Sequence, residues 1–341
     1  MAIPSVSVVV PVYNEARRLE ALIASLRTQD YAGPLELVFV DGDSTDESMM
    51  ILQHAAAEAT TGPSIVIVRN PKRNIPTAMN LGIRAATGEI IVRVDGHSLP
   101  SPNFVSALVS YLVIHPGLQV VYGRWEVRPS YANRTGNALA AAFTHWLSGA
   151  GSGYRSGKNL GSAPVSVDTV PYGAFARSTW AVVGGFDEAL LASEDYDFML
   201  RVRLAGGRVT LLPALAITYY ARSTLRSAWR NGLRGGFWVG VLLRKHRTIV
   251  APRKIAPATV LVAFIAMLCI GPVIAVSGLA LYGILLCIFA WRDTVADRRA
   301  LVEVPIEALG WFLMQLGYAL SSLAGLARGY RTVSDTDSEV K

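Results

Sequence analysis

Cysteine is nearly absent, with only Cys269 and Cys287 in 341 residues, both inside an apolar C-terminal stretch. They offer neither a disulfide framework nor metal-site spacing, and read as small apolar side chains. Acidic residues are missing altogether from Phe198 to Arg292, while Arg and Lys are frequent before Ile255. The net charge of +7 is therefore a local asymmetry. A basic stretch leading into an apolar run points to an anionic membrane face. No DNA or RNA recognition motif is present, which sets nucleic acid aside as a partner. The first strand is not followed by a glycine-rich turn, which argues against a nicotinamide-dependent enzyme. The start also lacks a charged region followed by an apolar one, so no signal peptide is expected and the globular part is placed in the cytoplasm.

What is present is a hydrophobic chain, 52% by residue type with a mean hydropathy of +0.36. Ser5–Val12 reads as a buried strand, followed by a helix with Leu19, Leu22, Ile23 and Leu26 at helical spacing. Leu35–Val40 is the next strand, ending at Asp41, and a helix over Thr45 to about Glu58 is capped by Ser44 or Thr45. Ser64–Val68 and Ile75–Ala86 repeat the pair, and Ile90–Val94 delivers Asp95 to a loop at a strand end. This alternation predicts a mostly parallel, doubly wound, Rossmann-like α/β sheet. Beyond Pro100 the rhythm changes to a helix over Phe104–Ile114, strands near Leu118–Gly123 and Val165–Phe175, a Gly/Ser-rich loop over 149–162, and a helix running from S-E-D-Y-D to Leu204.

Residues 222–254 form a basic, partly amphipathic segment, with Arg222, Arg226, Arg230 and Arg234 at four-residue spacing and Trp229, Phe237 and Trp238 among them. That mixture suits a helix at a bilayer interface. Residues 255–291 exceed the length of one crossing and are broken by Gly271-Pro272, which predicts a hairpin of two short spans. A third span is expected over about 306–328, interrupted by Gln315 and Ser321-Ser322, and 329–341 reads as a disordered tail. The expected domains are thus 1–221 for catalysis, 222–254 at the interface and 255–328 in the membrane.

Three acidic loops remain: Asp41–Asp46, Asp95 with Gly96 and His97, and Glu194–Asp195. Glycosyl transfer from a nucleotide diphosphosugar calls for such a set. The diphosphate leaving group needs a divalent cation and hence carboxylate-type ligands. The attacking hydroxyl needs a carboxylate base. A further carboxylate beside the first strand can accept a hydrogen bond from the imide of a uracil-type base.

The chain resembles the family 2 glycosyltransferases with the GT-A fold, particularly the succinoglycan-type exopolysaccharide branch. The matching residues are P-V-Y-N-E (Pro11–Glu15), V-D-G-D-S-T-D (Val40–Asp46), R-N-I-P-T-A-M-N-L-G-I (Arg73–Ile83), V-D-G-H (Val94–His97), Y-G-A-F-A-R (Tyr172–Arg177), G-G-F-D-E (Gly184–Glu188) and S-E-D-Y-D (Ser193–Asp197). The resemblance covers about residues 5–235 and implies an inverting, single-displacement transfer. It puts Asp41, or less readily Asp43, on the nucleobase, and Pro11, Tyr13, Glu15, Arg73 and Gly96 in the nucleotide-sugar pocket. Asp95 falls on the first position of the family's D-x-D and His97 on the second, as metal ligands. Imidazole ligates Mn²⁺ better than Mg²⁺, so Mn²⁺ is expected as activator, with Mg²⁺ second. Asp195 falls on the catalytic base, with Glu194 beside it. The family's Q-x-x-R-W is not intact, and only Arg234 is carried over, as a diphosphate contact.

The implied enzyme moves a sugar, most readily from UDP, to a lipid-linked acceptor at the cytoplasmic leaflet of the bacterial inner membrane, in exopolysaccharide or cell-envelope glycan assembly. Direct transfer onto polyprenyl phosphate is the alternative within the class, and a catalytically silent membrane scaffold the alternative outside it. His97 is also readable as a hydrogen-bonded loop histidine, and Asp195 as a helix-terminal acid. Asp46 and Glu47 read as first-turn helix acids, Asp187 and Glu188 as turn residues, and Asp197 as structural. His145-Trp146 suits either sugar stacking or the core, Arg155 and Lys158 are solvated charges or partners of a lipid diphosphate, and Asn133-Arg134-Thr135 is a glycosylation sequon by pattern only. Sugar, linkage and oligomeric state are not encoded in any motif.

Overall fold

The computed structural model describes residues 3–58, 62–148, 153–156, 161–170, 172–221, 223–247, 252–328 and 330. Lys158, Arg222 and the tail residues 329 and 331–341 lie outside them, as does most of the expected loop over 149–162.

In chain order the elements are β1 (Val6–Val12), α1 (Ala16–Arg27), β2 (Leu35–Asp41), α2 (Ser48–Ala57), β3 (Ser64–Arg69), α3 (Ile75–Ala85), β4 (Ile90–Arg93), β5 (Ser98–Pro100) and α4 (Phe104–Ile114). Then follow β6 (Gln119–Pro129), α5 (Arg134–Thr144), α6 (Gly153–Ser156), β7 (Val165–Ser166), β8 (Ala174–Ala176), α7 (Arg177–Val183), α8 (Glu194–Leu204) and β9 (Arg208–Ala221). The C-terminal helices are α9 (Leu225–His246), α10 (Pro252–Ile270), α11 (Pro272–Ala296) and α12 (Val304–Arg328). The chain divides into two compact units, residues 1–126 with 157–219, and residues 127–156 with 220–341.

The sheet runs β3-β2-β1-β4-β8-β6-β9-β5, with β7 on β9. Its first four strands are parallel, in the register Val9↔Arg93 and Val12↔Asp41, so β1, β2 and β4 end at one edge. α1 buries Leu19, Leu22, Ile23 and Leu26 as their spacing predicts. The expectation of a mostly parallel sheet stops at β4. β8 pairs with it antiparallel, and β6–β8, β7–β9 and β5–β9 follow suit, giving a mixed sheet. β9 escapes a sequence reading because Pro213 stands in its middle, where a proline normally demotes a strand.

The cap of α2 also differs from expectation. The Asp46 carboxylate accepts from Ser48 N–H at 3.0 Å and from Ala16 N–H at 3.1 Å, so one side chain closes the starts of both α1 and α2. Burial works to raise the Asp46 pKa, but these hydrogen bonds hold it below the ordinary carboxylate value. Ser44 and Thr45 instead tie down Asn14, which has φ +56°: Asn14 N–H donates to Ser44 Oγ at 3.0 Å and Thr45 N–H to Asn14 Oδ1 at 2.8 Å.

In the second unit Leu139 and Ala142 of α5 share a core with Ala228, Leu286, Ala290, Ala308, Trp311 and Met314. The sequon residue Asn133 is the N-cap of α5, accepting from Gly136 N–H at 2.7 Å. Helix α9 presents Gly232, Gly236 and Gly240 to α12, where an added Cβ would lie 2.3, 2.0 and 2.2 Å from the carbonyl oxygens of Met314, Tyr318 and Ser322. Small residues every fourth position let two backbones touch. Arg226, Arg230 and Arg234 occupy the exposed side of α9. The segment expected to rest its apolar side on lipid thus spends its small-residue face on another helix. α10 and α11 form the expected hairpin about Gly271, with Pro272 at the first turn of α11. By length and composition, Pro272–Ala296 and Leu301–Arg328 could cross a membrane, and Lys254–Ile270 is a shorter apolar helix. Gln315 is satisfied within the unit by Tyr282 Oη and Leu147 O, and Ser321 and Ser322 bond back into their own helix.

Candidate active site

At the edge where β1, β2 and β4 end, the sequence supplies turn-forming residues, and the loops part into a cleft. Its walls include Pro11, Tyr13, Glu15, Gly42, Asn70, Arg73, Asn74, Asp95, Gly96 and His97. Seven of the expected nucleotide and metal residues therefore share one depression. Asp41 is buried at 1% exposure as the last residue of β2, next to the lining residues Val40 and Gly42. One of its carboxylate oxygens accepts from Ser44 N–H at 3.1 Å, and Oδ1 has no hydrogen-bond partner. Asn70, whose N–H donates to Asp41 O at 2.7 Å, likewise holds an unpartnered buried Oδ1. A buried acceptor without a donor is costly unless water or a ligand supplies one. Asp43 differs: it sits at φ +55° and is paired with Arg69 at 2.5 Å and Arg73 at 3.8 Å.

His97 faces Glu15 across the cleft, Nδ1 to Oε1 at 3.0 Å, and its ring lies 5.5 Å from that of Tyr219. Burial works against its charge, but the Glu15 hydrogen bond and the nearby Asp95 outweigh it and raise its pKa above the ordinary value. In the tautomer that donates from Nδ1, the Nε2 lone pair stays available, the arrangement in which a carboxylate orients a ligating imidazole. Among the described residues no cluster of three or more His, Cys, Asp or Glu could hold a metal alone. Asp95 and His97 fit a divalent ion that takes its remaining ligands from substrate phosphates, and do not fit a closed structural site.

Behind Asp95 stands Arg93, 2% exposed, donating from Nε to Asp95 Oδ1 at 3.0 Å and from Nη1 to Glu194 Oε1 at 3.1 Å. Burial opposes its charge, yet Asp95 and Glu194 hold its pKa above the ordinary guanidinium value. Glu194 is 5% exposed, and burial together with the charge of Asp195 pushes its pKa up despite Arg93. Asp195 is half-buried in the first turn of α8, its Oδ1 accepting from Tyr196 N–H at 2.7 Å. Of the two acids, Asp195 is the one open to a ligand. Arg93 escaped the sequence reading because a lone cation in an apolar strand carries no motif.

The remaining acidic motifs are scaffolding. Glu188 accepts from Thr77 Oγ1 (2.8 Å), Asn80 Nδ2 (3.1 Å) and Lys72 Nζ (3.1 Å), which ties the turn at Gly184-Gly185 to α3. Asp197 is fully buried and holds Arg201 at 2.8 Å, whose Nη2 donates to Gly185 O. The His145 ring lies tilted 4.6 Å from that of Trp311, and His145 is 3.7 Å from Asp293, so it belongs to the second unit's packing. Arg155 lies over the Phe143 ring at 4.2 Å. Arg234 stands exposed on α9 of the second unit, and the cleft lining does not include it.

Residues 7–165 match the model of Glycosyl transferase family 2. The succinoglycan biosynthesis protein ExoA of Rhizobium meliloti (strain 1021) is 27% identical over 266 residues, 77% of this chain and 78% of that protein. A dolichyl N-acetyl-alpha-D-glucosaminyl phosphate 3-beta-D-2,3-diacetamido-2,3-dideoxy-beta-D-glucuronosyltransferase of Methanococcus voltae is 24% identical over 248 residues, 70% of this chain and 74% of that protein. Among solved structures, the mannosyltransferase PcManGT of Pyrobaculum calidifontis, in complex with GDP-Man and Mn²⁺, superposes with a TM-score of 0.57 at 22% identity, covering 95% of this chain and 87% of that one. The fold is like that of this mannosyltransferase, and residues 7–165 are similar to the family 2 glycosyltransferase domain.

Proposed function

We propose that the protein is an inverting glycosyltransferase that takes a sugar from a nucleotide diphosphate, UDP in first place, and passes it to a hydroxyl of a lipid-linked glycan. The observation that carries this reading is the convergence of Pro11, Tyr13, Glu15, Arg73, Asp95 and His97 on one cleft at the strand ends, where open α/β sheets bind ligands. Asp41, with Oδ1 lacking a donor, suits a base that presents an imide N–H. Asp95 and His97 would hold a divalent cation, Mn²⁺ before Mg²⁺ because one donor is an imidazole. Such an ion would neutralise the diphosphate leaving group. Asp195 takes the proton of the attacking hydroxyl, and Glu194, being ion-paired and buried, does not. Arg234 is retained as a diphosphate contact on the resemblance alone.

A lipid-linked acceptor is supported by the two apolar helices long enough to span a membrane, and by the dolichyl-phosphate-linked substrate in the name of the Methanococcus voltae relative. The domains proposed from sequence follow: catalysis in 1–221, a basic interface in 222–254, and anchoring in 255–328. The bacterial inner (cytoplasmic) membrane is the proposed setting, with the catalytic domain on its cytoplasmic side.

The test is donor binding by the detergent-solubilised chain, as a thermal-shift panel of UDP-, GDP- and dTDP-sugars with and without Mn²⁺. Metal-dependent stabilisation by one donor, abolished in Asp95→Ala, is the expected result. No stabilisation by any donor would favour a silent scaffold. Activation by Mg²⁺ equal to or stronger than that by Mn²⁺ would count against His97 as a ligand.

A further inference from the structure

β4 reads I-I-V-R, and its fourth residue is the most deeply buried guanidinium at the site. Burying an arginine in a central strand is unfavourable unless every side of it is occupied. Here the two ends of the fork hold Asp95 and Glu194, the Tyr172 ring lies 4.8 Å from Cζ, and the Tyr122 hydroxyl donates to the Arg93 carbonyl at 3.1 Å. Tyr172 adopts φ +66°, a left-handed conformation unusual for a bulky residue, and such strain persists only where the surroundings impose it. Asp95 belongs to the donor loop. Glu194 opens α8, and Asp195 is its next residue.

We infer that Arg93 is a positioning residue: by clamping Asp95 and Glu194 at once, it sets the carboxylate of Asp195 relative to the donor loop. Glu194 is then the second jaw of the clamp and not an alternative base. This inference rests on the reading of Asp95 and Asp195 given above. The planar fork is what the task requires, because two carboxylates on different elements are gripped by separate nitrogens of one rigid group. A lysine in its place keeps the charge but offers a single nitrogen.

The experiment uses the full-length chain in detergent with Arg93→Lys, Glu194→Gln and the double variant. For each, kcat and donor KM are measured with the donor found in the binding panel, and hydrogen exchange is followed over residues 193–197. Misplacing a base by about 1 Å costs on the order of 100-fold, so kcat should fall by roughly that factor in each single variant while donor KM stays within about 3-fold. The double variant should be no worse than the poorer single one, because both remove the same clamp. Exchange at 193–197 should quicken while β1 and β2 remain protected. Unchanged kcat, a multiplicative double variant, or loss of protection across β1 and β2 alike would each overturn the inference. The exchange arm needs no turnover. A wild-type chain that binds no nucleotide sugar would sink the functional reading, while exchange at 193–197 would still decide on the clamp.

Discussion

Two aspartates separated by one glycine, Asp41 and Asp43, are chemically alike and do different work. Asp43 is neutralised by Arg69 and Arg73, whereas Asp41 keeps an unpartnered oxygen in a buried position. Hydrogen bonds to charged groups contribute about 1.5–3 kcal/mol. Asp41→Ala should therefore weaken donor affinity by roughly 10- to 100-fold and Asp43→Ala by less than about 3-fold, as titration calorimetry would show. Asp195→Asn should cut transfer by about 10²- to 10⁴-fold and leave donor binding intact. A modest loss instead would point to a phosphate acceptor, which needs no base. A different carboxylate contributes to acid stability. Burial of Glu36 works to raise its pKa, but hydrogen bonds from Ser7, Thr87 and Gly88 hold it below its ordinary 4.5. A depressed folded-state pKa gives stability that is present above the unfolded value and lost as pH falls through the folded one. Glu36→Gln should accordingly lower Tm at pH 7, with the gap to wild type closing below about pH 4.5. Asp95, His97 and Asp195 could be picked out of the sequence because they stand in motifs, the first two on the loop just past β4 and the third in the first turn of α8. Asn14 and Arg93 were not, since what singles them out is a backbone angle and, for Arg93, a second partner, Glu194, far along the chain.

Among the elements, those with a contiguous apolar or motif pattern were legible, α4, α8 and the α10–α11 hairpin included, and β5, β9 and α5 were not, for a physical reason. β1, β2, β4, α1 and α3 are each built from a contiguous apolar pattern with a clear stop. β9 carries Pro213, α5 is a short alanine-rich helix, and β5 has three residues, so their identity comes from pairing and not from local pattern. Helix α9 is the instructive case. Its arginines drew the reading toward a lipid interface, while the four-residue glycine spacing on another side decides what it packs against. Gly236→Ala would push a methyl into the Tyr318 carbonyl, which should destabilise the second unit by about 1–3 kcal/mol. The same substitution at Gly271, with open space around the added carbon, makes no such clash. Thermal unfolding of the two variants in detergent, read by tryptophan fluorescence, separates them.

At the scale of the whole chain, the apolar helices should govern cell fractionation. A protein held by α9 charges alone would leave the membrane at high salt. This one should stay in the membrane pellet through a 1 M salt wash, about a 3 Å Debye length, and require detergent for release. Release by salt would remove the case for α11 and α12 as spans. The sequence divided the molecule along its length, at residue 221, whereas the compact units are interleaved: 127–156 leaves the first and joins the second. No local pattern encodes that exchange, because it depends on which apolar surface finds which. Leu139 and Ala142 show its effect, sharing one core with Ala308 and Trp311 from the far end of the chain. The helical part is thus no suffix added to a finished enzyme. Cutting the gene after codon 221 would strand the apolar side of α5, because Ala308, Trp311 and Met314, which share its core, lie beyond the cut.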